Sequence, residues 1–163
     1  MHWIIKSISF IFHPIIMPLL GVIFYFSKSP RFIAQEVISA KIISLSILTI
    51  ILPILLYFLL KTIGKTDSIY LKTTKERIIP LVLNVIICVL IIVRVFPDNQ
   101  IIELYYFSLG VLISTIVCLV LALLNFKASI HMIAIAGVFM FAIGISVHFG
   151  KNLNGSLALF SII

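Results

Sequence analysis

Long apolar runs alternate with short polar breaks along this chain, and the run lengths decide its class. Ser7 to Ser27 is 21 residues without a formal charge. At 1.5 Å per residue a helix of that length crosses a hydrocarbon core of roughly 30 Å. Further runs at 42–60, 78–96, 104–126 and 128–148 are also long enough to span. Ser156 to Ile163 is apolar to its last residue but too short to cross. It predicts either a segment that folds back or the start of a sixth span, and the second is expected because no polar residue closes it. The pattern predicts an all-α, polytopic transmembrane helical bundle in one domain, 1–163, with five full spans (7–27, 42–60, 78–96, 104–126, 128–148) and a partial sixth at 156–163.

The breaks refine this reading. Pro14 and Pro18 remove backbone donors, so the first helix is kinked there or begins near Pro14, leaving His13 at the membrane surface. Residues 28–41 read as a loop opened by Ser-Lys-Ser-Pro-Arg, and Pro53 predicts a kink in the second span. The most polar part is 61–77. Arg94 is placed to snorkel from a helix end, Pro97 to Gln100 reads as a turn, and Tyr105-Tyr106 as an interfacial pair. In the fifth run Ala134, Ala136, Gly137, Ala142 and Gly144 would let a neighbouring helix approach closely.

Composition changes the list of partners. With 63% hydrophobic and only 10% charged residues, the balance lies outside that of soluble domains. The net charge of +7 has too few polar residues around it to build a nucleic-acid surface, so lipid phosphate head groups are the expected anions. Cys88 and Cys118 lie inside apolar runs and read as small buried hydrophobes, with no metal site or cofactor implied. The dominance of Ile, Leu, Phe and Lys gives the expectation of a bacterial protein of the inner (cytoplasmic) membrane.

Two polar stretches carry candidate chemistry: Lys72-Thr-Thr-Lys-Glu-Arg77, closed by Pro80, and Asn125-Phe-Lys-Ala-Ser-Ile-His131. Two spans separate them, so they face the same side of the membrane. Lys6, Lys61, Lys65, Lys72, Lys75, Arg77 and Lys127 fall on that side against Lys28, Arg31, Lys41, Arg94 and Lys151 on the other. Cations placed for phosphate chemistry would bias that count, so it does not orient the site. Lys72, Lys75, Arg77 and Lys127 could neutralise a phosphoryl group, and His131 could protonate a leaving oxygen. The same residues also fit a solvated basic surface near anionic lipids, with Ser129 and His131 satisfying a helix start.

Lys72-Thr-Thr-Lys-Glu-Arg-Ile-Ile-Pro80 followed two spans later by Ala128-Ser-Ile-His131 resembles the first two signatures of the type 2 phosphatidic acid phosphatase (PAP2) superfamily, especially small bacterial members that open like Phe12-His13-Pro14. The resemblance implies Arg77 and Lys72 as phosphate-binding cations, Ser129 as a phosphate contact beside Lys127, and His131 as the general acid. It also implies hydrolysis of a lipid phosphate or isoprenoid diphosphate through a phosphohistidine, without a metal. The spacings depart from the family pattern. Lys72 stands five positions before Arg77 instead of seven, Pro80 three after it instead of one, and Ala128 and Ile130 replace a proline and a glycine. The third signature, with the nucleophilic histidine, has no counterpart. His148 is the only later histidine and belongs to the opposite face. The expectation is therefore a truncated chain that binds without turnover, or a non-catalytic lipid-binding or assembly subunit that kept the basic pocket; a small transporter or channel ranks behind both.

Overall fold

The computed structural model describes residues 14–62, 74–98 and 100–150, and the regular structure among them is helical throughout. Helix α1 (Met17–Lys28) has Pro18 in its first turn, where a missing N–H leaves no bond unmade. Helix α2 (Gln35–Ser46) continues through a π-helical turn (Ile47–Ile51) into α3 (Leu52–Thr62). Helix α4 (Thr74–Leu90) runs into a second π turn (Ile91–Val95), and α5 (Ile102–Leu123) and α6 (Ile130–His148) follow.

Both π turns end beside a proline. A proline ring collides with the carbonyl four residues before it. Ahead of Pro53 the chain widens by one residue, with Leu52 N–H donating to Ile47 O. Ahead of Pro97 the same i to i−5 bond joins Phe96 N–H to Ile91 O at 2.9 Å. The kink expected at Pro53 is thus a π turn. Pro80, which would close the polar stretch in the sequence reading, lies inside α4 instead.

Four stretches are long and apolar enough to cross a membrane: Gln35–Leu59, Glu76–Val95, Ile102–Leu123 and Ile130–His148. By length and composition they make this an integral membrane protein. The described residues therefore carry four such spans rather than the predicted five. α1 is a shorter apolar helix, and the start of the 7–27 run and the whole of 156–163 lie outside the described residues. The second span also begins earlier than expected, because Gln35–Lys41 is helical.

The helices alternate in direction. α4 and α5 form an antiparallel hairpin, with Leu81 of α4 against Cys118 and Ala122 of α5. A larger core gathers Tyr25 of α1, Leu45 of α2, Leu104 and Phe107 of α5, and Val138 of α6, with α1 laid mainly against α6. In lipid, apolar contact gives no solvent-driven preference for helix association, so close van der Waals fit and polar bonds between helices hold the bundle. Outward residues such as Ile54, Leu55 and Phe58 of α3 are exposed, as a lipid-facing surface requires. Of the small residues expected to admit a neighbour in α6, Ala142 is fully buried and Ala134 packs on the core, whereas Ala136, Gly137 and Gly144 are exposed. The tight approach lies elsewhere, at Gly21 of α1 against Phe107.

Candidate functional site

The end of the bundle where α4 begins and α5 gives way to α6 holds the residues singled out for phosphate chemistry. α5 stops in a Schellman motif. Asn125 takes a left-handed backbone (φ 62°), its N–H donates to Ala122 O at 3.1 Å, and Phe126 N–H donates to Leu121 O at 2.8 Å. Asparagine tolerates that conformation better than other side chains with a Cβ. The reversal directs residues 126–129 back over the start of α4.

Two bonds join the stretches that are far apart in sequence. Arg77 Nη1 donates to the backbone carbonyl of Ala128 at 3.1 Å. Thr74 Oγ1 donates to Asn125 Oδ1 at 3.4 Å, a long and weak contact. Arg77, Leu81, Cys118, Ala122, Ala128 and Ile130 line a cleft behind the loop that admits only about one water. A phosphoryl group does not fit inside it and would have to approach from the loop surface.

Lys127 and Ser129 are on that surface, both exposed. Ser129 occupies the N-cap position of α6, yet its hydroxyl makes no capping bond; its carbonyl accepts from Ile133 N–H at 3.2 Å. His131 is half-buried with Nε2 shut off from solvent. Its position on α6 differs from that of Ile130. Ile130 and Ile133 pack on the small cluster beside Arg77, whereas Ala134, Ile135 and Val138 join the larger core. His131 shares the i, i+3, i+4, i+7 face with those last three. Arg77 and the loop carrying Lys127 and Ser129 are thus brought together, and His131 belongs to the same end but is carried on the core-facing side of α6. Lys72, Lys6, Lys65 and His13 lie outside the described residues.

The opposite end holds a polar cluster that sequence reading did not foresee. Glu103, in the first turn of α5, has a side chain only 8% exposed. Its Oε1 receives Arg31 Nη2 at 2.6 Å and stands 3.5 Å from His148 Nε2, and its Oε2 accepts from Tyr25 O–H at 3.1 Å. One carboxylate therefore ties together the end of α1, the loop after it, the start of α5 and the end of α6. The expected placement of His148 at the far face is met. A neighbouring tie is Lys41, whose ammonium donates to Val95 O at 2.5 Å and Gln100 Oε1 at 2.6 Å and stands 5.3 Å from the centre of the Phe96 ring. The helix ends at Val95, so its carbonyl has no helical donor and is open to the ammonium. The signal in the sequence was a lone acid beside two tyrosines at a helix start, which by itself reads only as a favourable charge at a helix N-terminus.

Comparison with protein-family models, with curated proteins and with solved structures finds no match for this chain.

Proposed function

We propose that this integral membrane protein engages phosphate-bearing lipid head groups, a lipid phosphate or an isoprenoid diphosphate, at the end where α4 begins and α5 turns into α6. Lys72, Arg77, Lys127 and Ser129 would meet the phosphate oxygens, and His131 would supply the proton to a departing lipid oxygen if the P–O bond is cleaved. The reading keeps the likeness to type 2 phosphatidic acid phosphatases as its chemical rationale. The observation that supports it is the bond from Arg77 to Ala128, which holds an arginine beside a loop carrying an exposed lysine and an exposed serine. A guanidinium has five N–H donors, so that bond uses one of them.

A second reading, binding without turnover in a lipid-binding or assembly subunit, is favoured by the same bond, because it gives Arg77 a structural task in fixing the loop. One experiment separates the readings. The purified protein is placed in nanodiscs of phosphatidylcholine with a minor fraction of phosphatidic acid, and both lipid enrichment around the protein and release of inorganic phosphate are measured. Enrichment of phosphatidic acid that weakens in Arg77→Ala and Ser129→Ala supports the site, and phosphate release lost in His131→Ala adds catalysis. Equal affinity for both lipids, or enrichment unchanged in Arg77→Ala, removes the proposal.

A further inference from the structure

The loop between α1 and α2, residues 29–34, presents the most exposed large apolar side chain among the described residues: Phe32 is 98% exposed. The residues on either side of it are held. Arg31 Nη2 bonds to the nearly buried Glu103 at 2.6 Å, and Arg31 N–H donates to Ser29 Oγ at 3.2 Å. On the other side, Ile33 packs against the large core. With Arg31 tied to Glu103 and Ile33 packed on the core, Phe32 between them is held in an outward position.

We infer that Phe32 is an interfacial anchor, inserted at the boundary between head groups and acyl chains of the leaflet on the Glu103 side. Three observations name the leaflet as its partner. The loop lies where the spanning helices end, since α2 begins at Gln35, the Glu76–Val95 span ends beside it and α5 begins at Ile102. Tyr106, 62% exposed, and the half-buried Tyr105 lie at that same end, and together with Phe32 they form the aromatic belt expected at that depth. Lys28, in the last turn of α1, and the exposed Arg94 supply the cations that accompany such belts and favour anionic head groups. Leaving a phenyl ring in water forgoes the stabilisation of its burial, and the interface removes that cost without any protein partner. This role is independent of the phosphate site, which lies at the other end of the bundle.

The test uses the chain's single tryptophan background. Trp3 is replaced by Phe, and Phe32→Trp is introduced into the full chain, reconstituted in vesicles whose lipids carry bromine near the head group or near the acyl terminus. The expected result is a blue-shifted emission maximum, with stronger quenching from shallow than from deep bromines. Tyr106→Trp in the same background is the second reporter and should give the same depth order. Three outcomes overturn the inference: water-like emission unaffected by either lipid; strongest quenching from the deep bromines; or shallow quenching that disappears as protein density rises, which would make a second copy the occupant.

Discussion

Gly21 of α1 lies against the tip of the Phe107 ring on α5: a Cβ placed on Gly21 would stand 2.5 Å from Phe107 Cζ and 2.9 Å from Cε1. The ring has little freedom to retreat, because it is stacked on Phe141 of α6 with centroids 4.3 Å apart. Gly21→Ala should therefore destabilise the bundle despite the helix-propensity gain of about 1 kcal/mol that alanine brings. Overpacking of this kind costs about 1–3 kcal/mol, and Gly21→Val should cost more than alanine. Reversible unfolding in mixed micelles with increasing dodecyl sulfate would measure it. In a Phe107→Leu background the penalty of Gly21→Ala should vanish; a penalty that persists there would show that the ring is not what limits the approach.

That contact also marks where the sequence stops being informative. Run length placed three of the four spans to within a few residues, because a charge in hydrocarbon costs several kcal/mol and so appears only near run ends. Lys41 is the instructive exception. It closed the loop that Ser-Lys-Ser-Pro-Arg opened in the sequence, but the Val95 carbonyl at the end of its helix, together with Gln100, accepts its ammonium, and the helix begins at Gln35, seven residues earlier than the expected start at 42. No local pattern announces a partner 54 positions away. Likewise, glycines and alanines on α6 looked like a close-packing stripe, yet which face of a uniformly apolar helix turns inward is set by its neighbours. At the candidate site, span parity rightly placed Arg77 near the 125–131 stretch. The side of α6 on which His131 falls depended on packing that two short signatures do not encode.

Glu103 should be the most sensitive position at the far end of the bundle. Replacing it with alanine removes the acceptor of both Arg31 and Tyr25 from a site only 8% exposed. Hydrogen bonds to a charged group contribute about 1.5–3 kcal/mol, and a loss of that order is expected. Tyr25→Phe should cost less and should be non-additive with Glu103→Ala in a double-mutant cycle, since both remove one bond. His148 is 58% exposed and 3.5 Å away, so His148→Ala should cost under about 1 kcal/mol. Unfolding midpoints in the same micelle series would rank the variants. If His148→Ala is as damaging as Glu103→Ala, the carboxylate is not the centre of the cluster.

The turn at Asn125 can be probed by its backbone. At φ 62° a Cβ meets the carbonyl that follows, a strain of about 1–2 kcal/mol that asparagine partly relieves and glycine avoids. Asn125→Gly should leave the loop as ordered as in the parent, because the contact it loses from Thr74, at 3.4 Å, is weak. Asn125→Ala should loosen it and Asn125→Val should do so further. Lys127, exposed in that loop, offers a direct readout through the rate of tryptic cleavage after it. The order expected is Val fastest, then Ala, with Gly indistinguishable from the parent. Faster cleavage in Asn125→Gly than in Asn125→Ala would mean that the side chain, not the backbone, sets the turn.

Midway along the α4–α5 hairpin, Asn84 Nδ2 donates to Thr115 Oγ1 at 3.3 Å, and the same hydroxyl donates to Val111 O one turn back at 2.8 Å. A polar pair at this depth invites the expectation that it is the main tie between the two helices. The local bond argues otherwise: in the separated helices Thr115 keeps its partner at Val111, so association adds only its contacts with Asn84 and the Cys88 thiol. Polar contacts between membrane helices average about 0.6 kcal/mol for this reason. Thr115→Val, close in shape, should accordingly shift stability by about that amount, and Asn84→Leu should be similarly mild because its amide can reach its own helix backbone when unpaired. Leu81→Ala in the apolar cluster with Cys118 and Ala122 should do more harm than either, about 2–5 kcal/mol if the gap stays open. Measured side by side, a larger loss from Thr115→Val than from Leu81→Ala would mean that hydrogen bonding rather than close packing holds this hairpin together.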